Sequence, residues 1–312
     1  MNSASTILVA GSANLDFVVR ASHIPAPGET VLGQGFQTFP GGKGANQAVA
    51  CARAGGANTH MLLALGDDAF AAPIEASLRG SGVQLHIVRC TGVPSGAAFI
   101  CVADSAENAI TVAPGANATL RPQHLPPLAD VSHLLLQLET PIKTVTAYAV
   151  AARAAGVTVV LNAAPAQALP SALLAAVDVL VVNEGELAAL AGLAGPTGQD
   201  ADIKTSAARL KVPCVIVTLG ARGCVARTAQ GWLTQGAYPV QPLDTTAAGD
   251  TFCGTLVAAL HFGQGLPAAL MLASAAAAVA CTRLGAQSSI PTRAEVEVFM
   301  QANVQANTQT PS

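Results

Sequence analysis

A regular alternation of short apolar runs with helical runs predicts an α/β fold built on a mostly parallel sheet. Three observations carry this. From Ser132 onward, apolar runs at 133–138, 157–161, 179–182 and 214–217 are separated by segments with helical spacing. These runs are solidly apolar rather than alternating, as in strands covered on both faces. Polar residues gather just past their carboxyl ends, where open α/β sheets hold ligands. With 312 residues, 51% apolar and 11% charged, the chain can bury a large core. No linker or internal repeat divides it, so a single domain over 1–312 is expected.

The first strand is Ile7-Leu8-Val9-Ala10-Gly11, with Asn14 and Asp16 directly after it. Over 17–39 the pattern turns choppy: Pro25, Pro27 and Gly28 signal turns, and Thr30-Val31-Leu32 reads as a strand. This is an excursion from the main sheet. Pro40-Gly41-Gly42-Lys43-Gly44-Ala45-Asn46-Gln47 opens a helix to about Ala54, stopped by Gly55-Gly56. Its small face of Ala45, Ala48, Val49 and Ala52 permits close packing. The glycines and the lysine suit close approach of backbone to a polar ligand, although a plain turn into a helix has the same look. No G-x-x-x-x-G-K-[ST] loop occurs.

A strand at 61–65 precedes a helix at about 67–79. Runs at 97–102 and 109–112 flank Asp104-Ser105-Ala106-Glu107-Asn108, which has hairpin chemistry. With the 17–39 excursion they predict a small separate sheet, placed to act as a lid. Beyond the strand at 133–138 come a helix at 142–155, a strand at 157–161 and a short helix at 171–176. A strand at 179–182, helices at 184–191 and 201–210, and a strand at 214–217 follow. Segments 223–227 and 231–234 read as an edge hairpin, and helices at 250–262, 266–282 and 292–301 close the chain.

The chemistry concentrates in Asp244-Thr245-Thr246-Ala247-Ala248-Gly249-Asp250-Thr251-Phe252, where two carboxylates bracket small residues ahead of a helix. Small residues let successive N–H groups converge on a point that also feels the helix's positive end. Asp250 at such a point makes sense if an oxyanion forms transiently while the carboxylate removes a proton from an attacking hydroxyl. An ordinary helix start also favours Asp. Asn14 and Asp16, Glu139, Asn183 and Glu186, and Thr218 and Gly220 each follow a predicted strand. Any one suits a cap or a loop, but four strand ends converging with Asp250 favour a site.

The bulk properties exclude several classes. A net charge of −3 without a basic cluster argues against nucleic acid. The longest apolar run, 268–281, has 14 residues, short of a membrane span. No basic residue precedes the apolar run at 7–11, unlike a signal peptide. Seven cysteines without a C-x-x-C pair read as free thiols of a reducing compartment, and six histidines show no metal-ligand spacing. Asn117-Ala118-Thr119 is a glycosylation sequon without weight in an unsecreted chain. A cytoplasmic protein with no membrane partner is expected.

Gly41-Gly42-Lys43-Gly44-Ala45-Asn46-Gln47-Ala48 resembles the N-terminal signature of the PfkB carbohydrate kinases, and the stretch from Asp244 to Phe252 resembles their C-terminal one. The likeness runs from about residue 7 to 299. Gly11-Ser12-Ala13-Asn14-Leu15-Asp16, Pro27-Gly28-Glu29-Thr30, Gln137-Leu138-Glu139, Thr218-Leu219-Gly220-Ala221-Arg222-Gly223 and Thr282-Arg283-Leu284-Gly285-Ala286-Gln287 are similar to its ribokinase branch. The resemblance implies a ribokinase-like three-layer α/β/α sandwich with a mostly parallel central sheet. It also implies a small β-sheet lid from about 13–40 and 95–113 that doubles as a homodimer interface, in keeping with apolar Phe99, Ile100 and Val102.

The activity it implies is transfer of the ATP γ-phosphoryl group to the 5-hydroxyl of D-ribose. Asp250 would be the base, and the N–H groups of Ala247, Ala248 and Gly249 the anion hole. Asn14, Asp16, Gly42, Lys43, Asn46 and Glu139 would hold the sugar beside Asp250. Asn183 and Glu186 would act through water on Mg²⁺ and the phosphates, while Thr218, Gly220, Gly223 and Gly249 would line the nucleotide site. A K⁺ site would use Asp244, Thr246, Ala280, Arg283, Gly285 and Ser289, several through carbonyls. Thr246 stands where an aliphatic residue is common and Ser288 where proline is common; neither change removes a ligand atom. The competing expectations are a related kinase for 2-deoxyribose, fructose, a 2-keto-3-deoxy sugar acid or adenosine and inosine, and a non-catalytic sugar-binding protein. Lys43 alone offers a cation to a sugar acid, and 4% aromatic residues leave little wall for a nucleobase.

Overall fold

The computed structural model describes residues 5–308 apart from 106, 194 and 197, with side chains through 303. Strand β1 (Thr6–Ala10) leads into β2 (Asn14–Ala21) and β3 (Phe36–Gly41), then α1 (Lys43–Arg53), β4 (Thr59–Gly66), α2 (Ala71–Gly80) and β5 (Gln84–Cys90). Hairpin β6 (Gly96–Ala103) and β7 (Asn108–Ala113) precedes β8 (Val131–Leu136), α3 (Ile142–Ala154), β9 (Thr158–Asn162), α4 (Ser171–Ala176) and β10 (Val179–Asn183). The chain continues through α5 (Glu184–Leu190), α6 (Asp200–Arg209), β11 (Cys214–Thr218), β12 (Cys224–Thr228) and β13 (Gly231–Gln235). Helices α7 (Ala248–His261), α8 (Leu266–Cys281) and α9 (Arg293–Thr308) complete it.

Nine strands form one sheet in the order β13-β12-β11-β10-β9-β8-β1-β4-β5. Its seven strands from β11 to β5 are mutually parallel, and the β12–β13 hairpin adds an antiparallel edge. Alternate residues of a strand face opposite ways, so Ile7 and Val9 enter one core while Leu8 and Ala10 enter the other. The first core is closed by α1, α2, α7, α8 and α9, through residues such as Ala48, Ile74, Phe252, Ala273 and Val296. The second is closed by α3 to α6, through Tyr148, Leu173, Leu187 and Ile203. This is the three-layer α/β/α sandwich. No helix among the described residues is long and apolar enough to cross a membrane.

A four-stranded sheet, β3-β2-β6-β7, stands apart. Its β2–β6 pair is parallel and the outer pairs antiparallel. Thr30-Val31-Leu32 is not a strand: it lies in the loop before β3, with Leu32 90% exposed, and the strand is Phe36–Gly41. Three apolar-leaning residues were too short a run to outweigh the turn chemistry on their amino side. Asn14 and Asp16 lie within β2 rather than in a loop, because Leu15, Phe17 and Val19 give that strand its apolar face. Strand β5 was not anticipated, since QLHIVRC alternates polar with apolar at a half-exposed sheet edge. Helix α2 begins at Ala71 instead of 67, because Asp68 Oδ1 accepts the Phe70 and Ala71 amides ahead of it. Ala106 of the β6–β7 turn lies outside the described residues.

Helices α1 and α7 meet along a seam of small residues. A Cβ on Gly254 would lie 2.5 Å from both Ala50 Cβ and the Gln47 carbonyl, and Cys51 Sγ donates to the Gly254 carbonyl at 3.3 Å. Alanine suits a helix interior better than glycine by about 1 kcal/mol, yet overpacking here outweighs that gain. Gly254→Ala is expected to cost about 1–3 kcal/mol in urea denaturation; stability equal to the parent would show that the seam can widen freely.

Candidate active site

The amino ends of α1 and α7 converge where β1, β8, β9, β10 and β11 deliver their carboxyl ends. The turn ahead of α7 is tied down at both sides. Asp244 Oδ1 accepts the Thr246 amide at 2.8 Å and Oδ2 accepts the Gly285 amide at 2.9 Å. The amides of Leu243 and Asp244 both donate to the Cys281 carbonyl, at 2.8 and 3.2 Å. Partial burial works against the Asp244 charge, but these hydrogen bonds outweigh it and hold the carboxyl below its usual range. Ala247 sits at φ 58°, the sole left-handed residue other than glycine among those described. Such strain is stored where surrounding contacts enforce it: the Thr251 amide and hydroxyl both bind the Ala247 carbonyl at 2.8 Å. Ala248 N–H is engaged by the Thr245 carbonyl at 3.2 Å. Of the three amides expected to form an anion hole, that one already holds a turn bond.

Asp250 is buried in the first turn of α7. Asn46 Nδ2 donates to its Oδ2 and Gln47 Nε2 to its Oδ1, each at 2.9 Å. Gln47 Nε2 also reaches Asn162 Oδ1 at 2.9 Å, and Gln47 Oε1 accepts from Gln137 Nε2 at 2.6 Å. Asn46 was expected to face a sugar; here its amide grips the carboxylate, and its Oδ1 is buried without a partner. An orphaned acceptor beside a carboxylate suits a ligand hydroxyl.

The residues expected on the sugar side lie near one another, together with Ser12 and Asn117, which sequence reasoning passed over. Glu139 Oε2 accepts the Ser12 hydroxyl at 2.6 Å and the Lys43 amide at 3.0 Å. Ser12 Oγ in turn accepts the Gly44 amide at 3.2 Å. Gly42 lies at φ 89°, where a Cβ would press on the Asn14 amide at 2.9 Å. Asn117 is 1% exposed, so its sequon is closed to modification. Its Oδ1 accepts the Ala13 amide at 3.0 Å, and its Nδ2 donates to Asn14 Oδ1 at 2.8 Å. That bond turns the Asn14 amide group outward as a donor. A buried asparagine outside any strand-end pattern carried no signal except the family motif around its partner.

Burial, Glu139 and Asp250 push the Asp16 carboxyl up to about 7, against the pull of Lys43. The Lys43 ammonium is held above its usual range chiefly by Asp250, with Glu139 and Glu186 adding to it against burial. Burial raises Glu186, opposed by the Asn183 amide and Lys43. Asn183 and Glu186 cap α5 reciprocally, each bond 2.8 Å, and the cap engages only Oε2 of the carboxylate. Lys43, Asn183, Glu186, Thr218, Gly249 and Asp250 line a polar cavity of about 210 Å³. A larger cavity of about 430 Å³ adjoins it, sharing Thr218, Thr245 and Gly249. Tyr238, Pro239, Val240, Phe252 and Ala277 line it, as do Gly220 and Gly223. Polar and apolar compartments in this order suit a phosphate chain and a flat heterocycle.

The remaining expected residues lie at the end of α8 and in the loop after it, which the Gly285 amide ties to Asp244. Ala280 accepts the Arg283 amide at 3.1 Å, and Ser289 is buried with its hydroxyl on the Ala286 carbonyl at 2.8 Å. The Arg283 guanidinium turns outward to Glu295 at 2.6 Å, leaving only its backbone to the turn. Ser288, standing where proline is common, ties its loop by donating to the Leu284 carbonyl at 3.0 Å.

Asp16 gives a pH prediction whose sign follows from its raised value. The folded chain holds the Asp16 proton more tightly than the unfolded one. Its contribution is therefore full below the ordinary carboxyl value of 3.8 and lost as pH rises through about 7. Asp16→Asn is expected to stabilise the ligand-free protein more at pH 8 than at pH 5. Equal gains in denaturation midpoint at both would contradict this.

The pfkB family carbohydrate kinase model matches residues 4–293. The chain is similar to a ribokinase of Haemophilus influenzae, 41% identical over 303 residues that cover 95% of this chain and 98% of that protein. It superposes on a ribokinase from Thermotoga maritima with a TM-score of 0.87 at 34% identity, covering 95% and 99% of the two chains. An Arabidopsis thaliana ribokinase complexed with ribose and ATP also gives 0.87, at 33% identity over 96% and 99%. With two signatures, the sandwich and the converged carboxylates in agreement, the chain belongs to the pfkB family of carbohydrate kinases, in its ribokinase-type branch of sugar phosphotransferases.

Proposed function

We propose that the enzyme phosphorylates D-ribose at its 5-hydroxyl with ATP, using Asp250 as general base. The observation that carries this is the Asp250 carboxylate, gripped on both oxygens and facing a cavity that runs into the apolar compartment. Asp16, Glu139 and the Asn14 amide offer hydrogen-bond partners to a sugar that is mostly hydroxyls. A sugar lacking a matching hydroxyl would leave one of them unpaired, which penalises it. Lys43, through its charge and its short turn into α1, balances these carboxylates.

In the reaction the 5-oxygen forms a bond to the γ-phosphorus as the bond from phosphorus to the β–γ bridging oxygen breaks, and ADP leaves. Asp250 accepts the hydroxyl proton. Ala247, Gly249 and the positive end of α7 meet the charge that spreads over the moving group. Glu186 keeps one carboxylate oxygen outside its cap, which fits a water-mediated hold on Mg²⁺; bound with ATP, the ion would neutralise phosphate oxygens. Asp244 and the carbonyls of Thr246, Ala280, Arg283, Gly285 and Ser289 are hard oxygen donors that fit K⁺. Its charge would stiffen the turn that presents the amides.

The small sheet contributes Asp16 and Asn14, so it serves as a lid that carries part of the sugar site. Its exposed Phe36 and Phe99, which stack on Phe17 on one face of the sheet, make it the expected homodimer interface.

ATP consumption on D-ribose, 2-deoxyribose, D-fructose, a 2-keto-3-deoxy sugar acid, adenosine and inosine, with and without K⁺, tests the reading. Ribose-dependent turnover is expected, falling about 10²–10⁴-fold in Asp250→Asn; turnover on another panel member would move the substrate. Asp244→Asn is expected to blunt the response to K⁺, and a parent-like K⁺ curve would discard that site. Phe99→Ser is expected to shift sedimentation toward the monomer, whereas an unchanged profile would remove the sheet from the interface.

A further inference from the structure

We infer that Gln47 is a positioning residue for the base: a relay of buried amides fixes its orientation, and through it the plane of the Asp250 carboxylate. The inference rests on Asp250 being that base. Gln47 is fully buried, so no substrate reaches it. Every polar atom it has is engaged: Oε1 by Gln137, and the two Nε2 protons by Asn162 and Asp250.

The direction of the relay matters, because a primary amide can be turned end for end at almost no cost in shape. The Asp250 carboxylate can only accept, and this fixes Gln47 Nε2 toward it and leaves Gln47 Oε1 toward β8, where Gln137 Nε2 donates. Asn162 agrees at the other end. Its Nδ2 donates to the Val181 carbonyl at 3.2 Å, which leaves its Oδ1 as the acceptor for Gln47. Gln137 is admitted because residue 11 is glycine; a Cβ there would overlap Gln137 Oε1. The carboxylate thus receives one N–H on each oxygen from consecutive residues of α1, at equal distances of 2.9 Å. Two bonds fix the rotation of the carboxylate plane, where one would leave it to swing. A base must present its lone pair to the hydroxyl within hydrogen-bond reach, so this orientation bears on the chemical step more than on sugar binding.

The test compares Gln47→Met, Gln47→Glu, Gln137→Met and Asp250→Asn in the full chain, measuring kcat, ribose Kd by calorimetry and thermal stability. Gln47→Met keeps the length and removes the donors. It is expected to lower kcat about tenfold or more with ribose Kd within about twofold. Gln47→Glu keeps the shape but sets acceptors against Asp250, and kcat is expected to fall further. Gln137→Met takes away the partner of Gln47 Oε1, which loosens the amide, and is expected to lower kcat several-fold at unchanged Kd. If Gln47→Met does not fold, Gln137→Met decides, and parent-like kcat in it overturns the inference. Parent-like kcat in Gln47→Met, with Asp250→Asn inactive, overturns it while the base reading stands. Equal losses in kcat and ribose affinity also overturn it, as they mark general distortion. Turnover persisting in Asp250→Asn would instead remove the base reading itself.

Discussion

Two helices far apart in sequence, α1 and α7, must lie close enough for amides on one to hold a carboxylate on the other. That constraint governs the centre of the molecule. It requires glycine at 254 and alanine at 50, because any larger side chain would part the helices. It also places the first turns of both helices over the same strand ends. The positive ends of the two helices therefore point into one space, which is where a phosphoryl group and a sugar hydroxyl would have to meet.

Charge is the second demand on that space. Asp16, Glu139, Glu186 and Asp250 crowd around a single ammonium, Lys43. Burial first, and the neighbouring carboxylates after it, push Asp16 and Glu186 upward against the pull of Lys43. Asp16 arrives on the small sheet rather than on the main one, so the two sheets together make the cluster. In the proposed reaction, a site completed by a separate sheet would tie sugar capture to exclusion of water.

The parallel strands were legible because burial on both faces forces unbroken apolar runs, as in the VLVVN of β10 and the CVIVT of β11. Two strands that are only half covered, β2 and β5, were not, whereas the partly exposed hairpins β6–β7 and β12–β13 were legible from the turn residues between their strands. β5 lies at a sheet edge, and β2 carries Asn14 and Asp16 on the face turned to the site, which breaks its pattern at the point where function intrudes. Ser12, Gln47, Asn117 and Asn162 were passed over for a related reason. They are uncharged and work by orienting other residues, and an amide's donor direction depends on neighbours more than 100 residues away in the chain.

By itself the sequence determined the order along the chain of most elements of the main sheet, the helix starts at the two small-residue turns and the identity of the charged residues. Periodicity, small-residue turns and carboxylates are local properties of the chain. Only the tertiary structure decided that Asn46 holds Asp250 and that Asn117 aims Asn14. Hydrogen-bond direction and buried charge depend on which atoms meet across the fold, and no local pattern encodes that meeting.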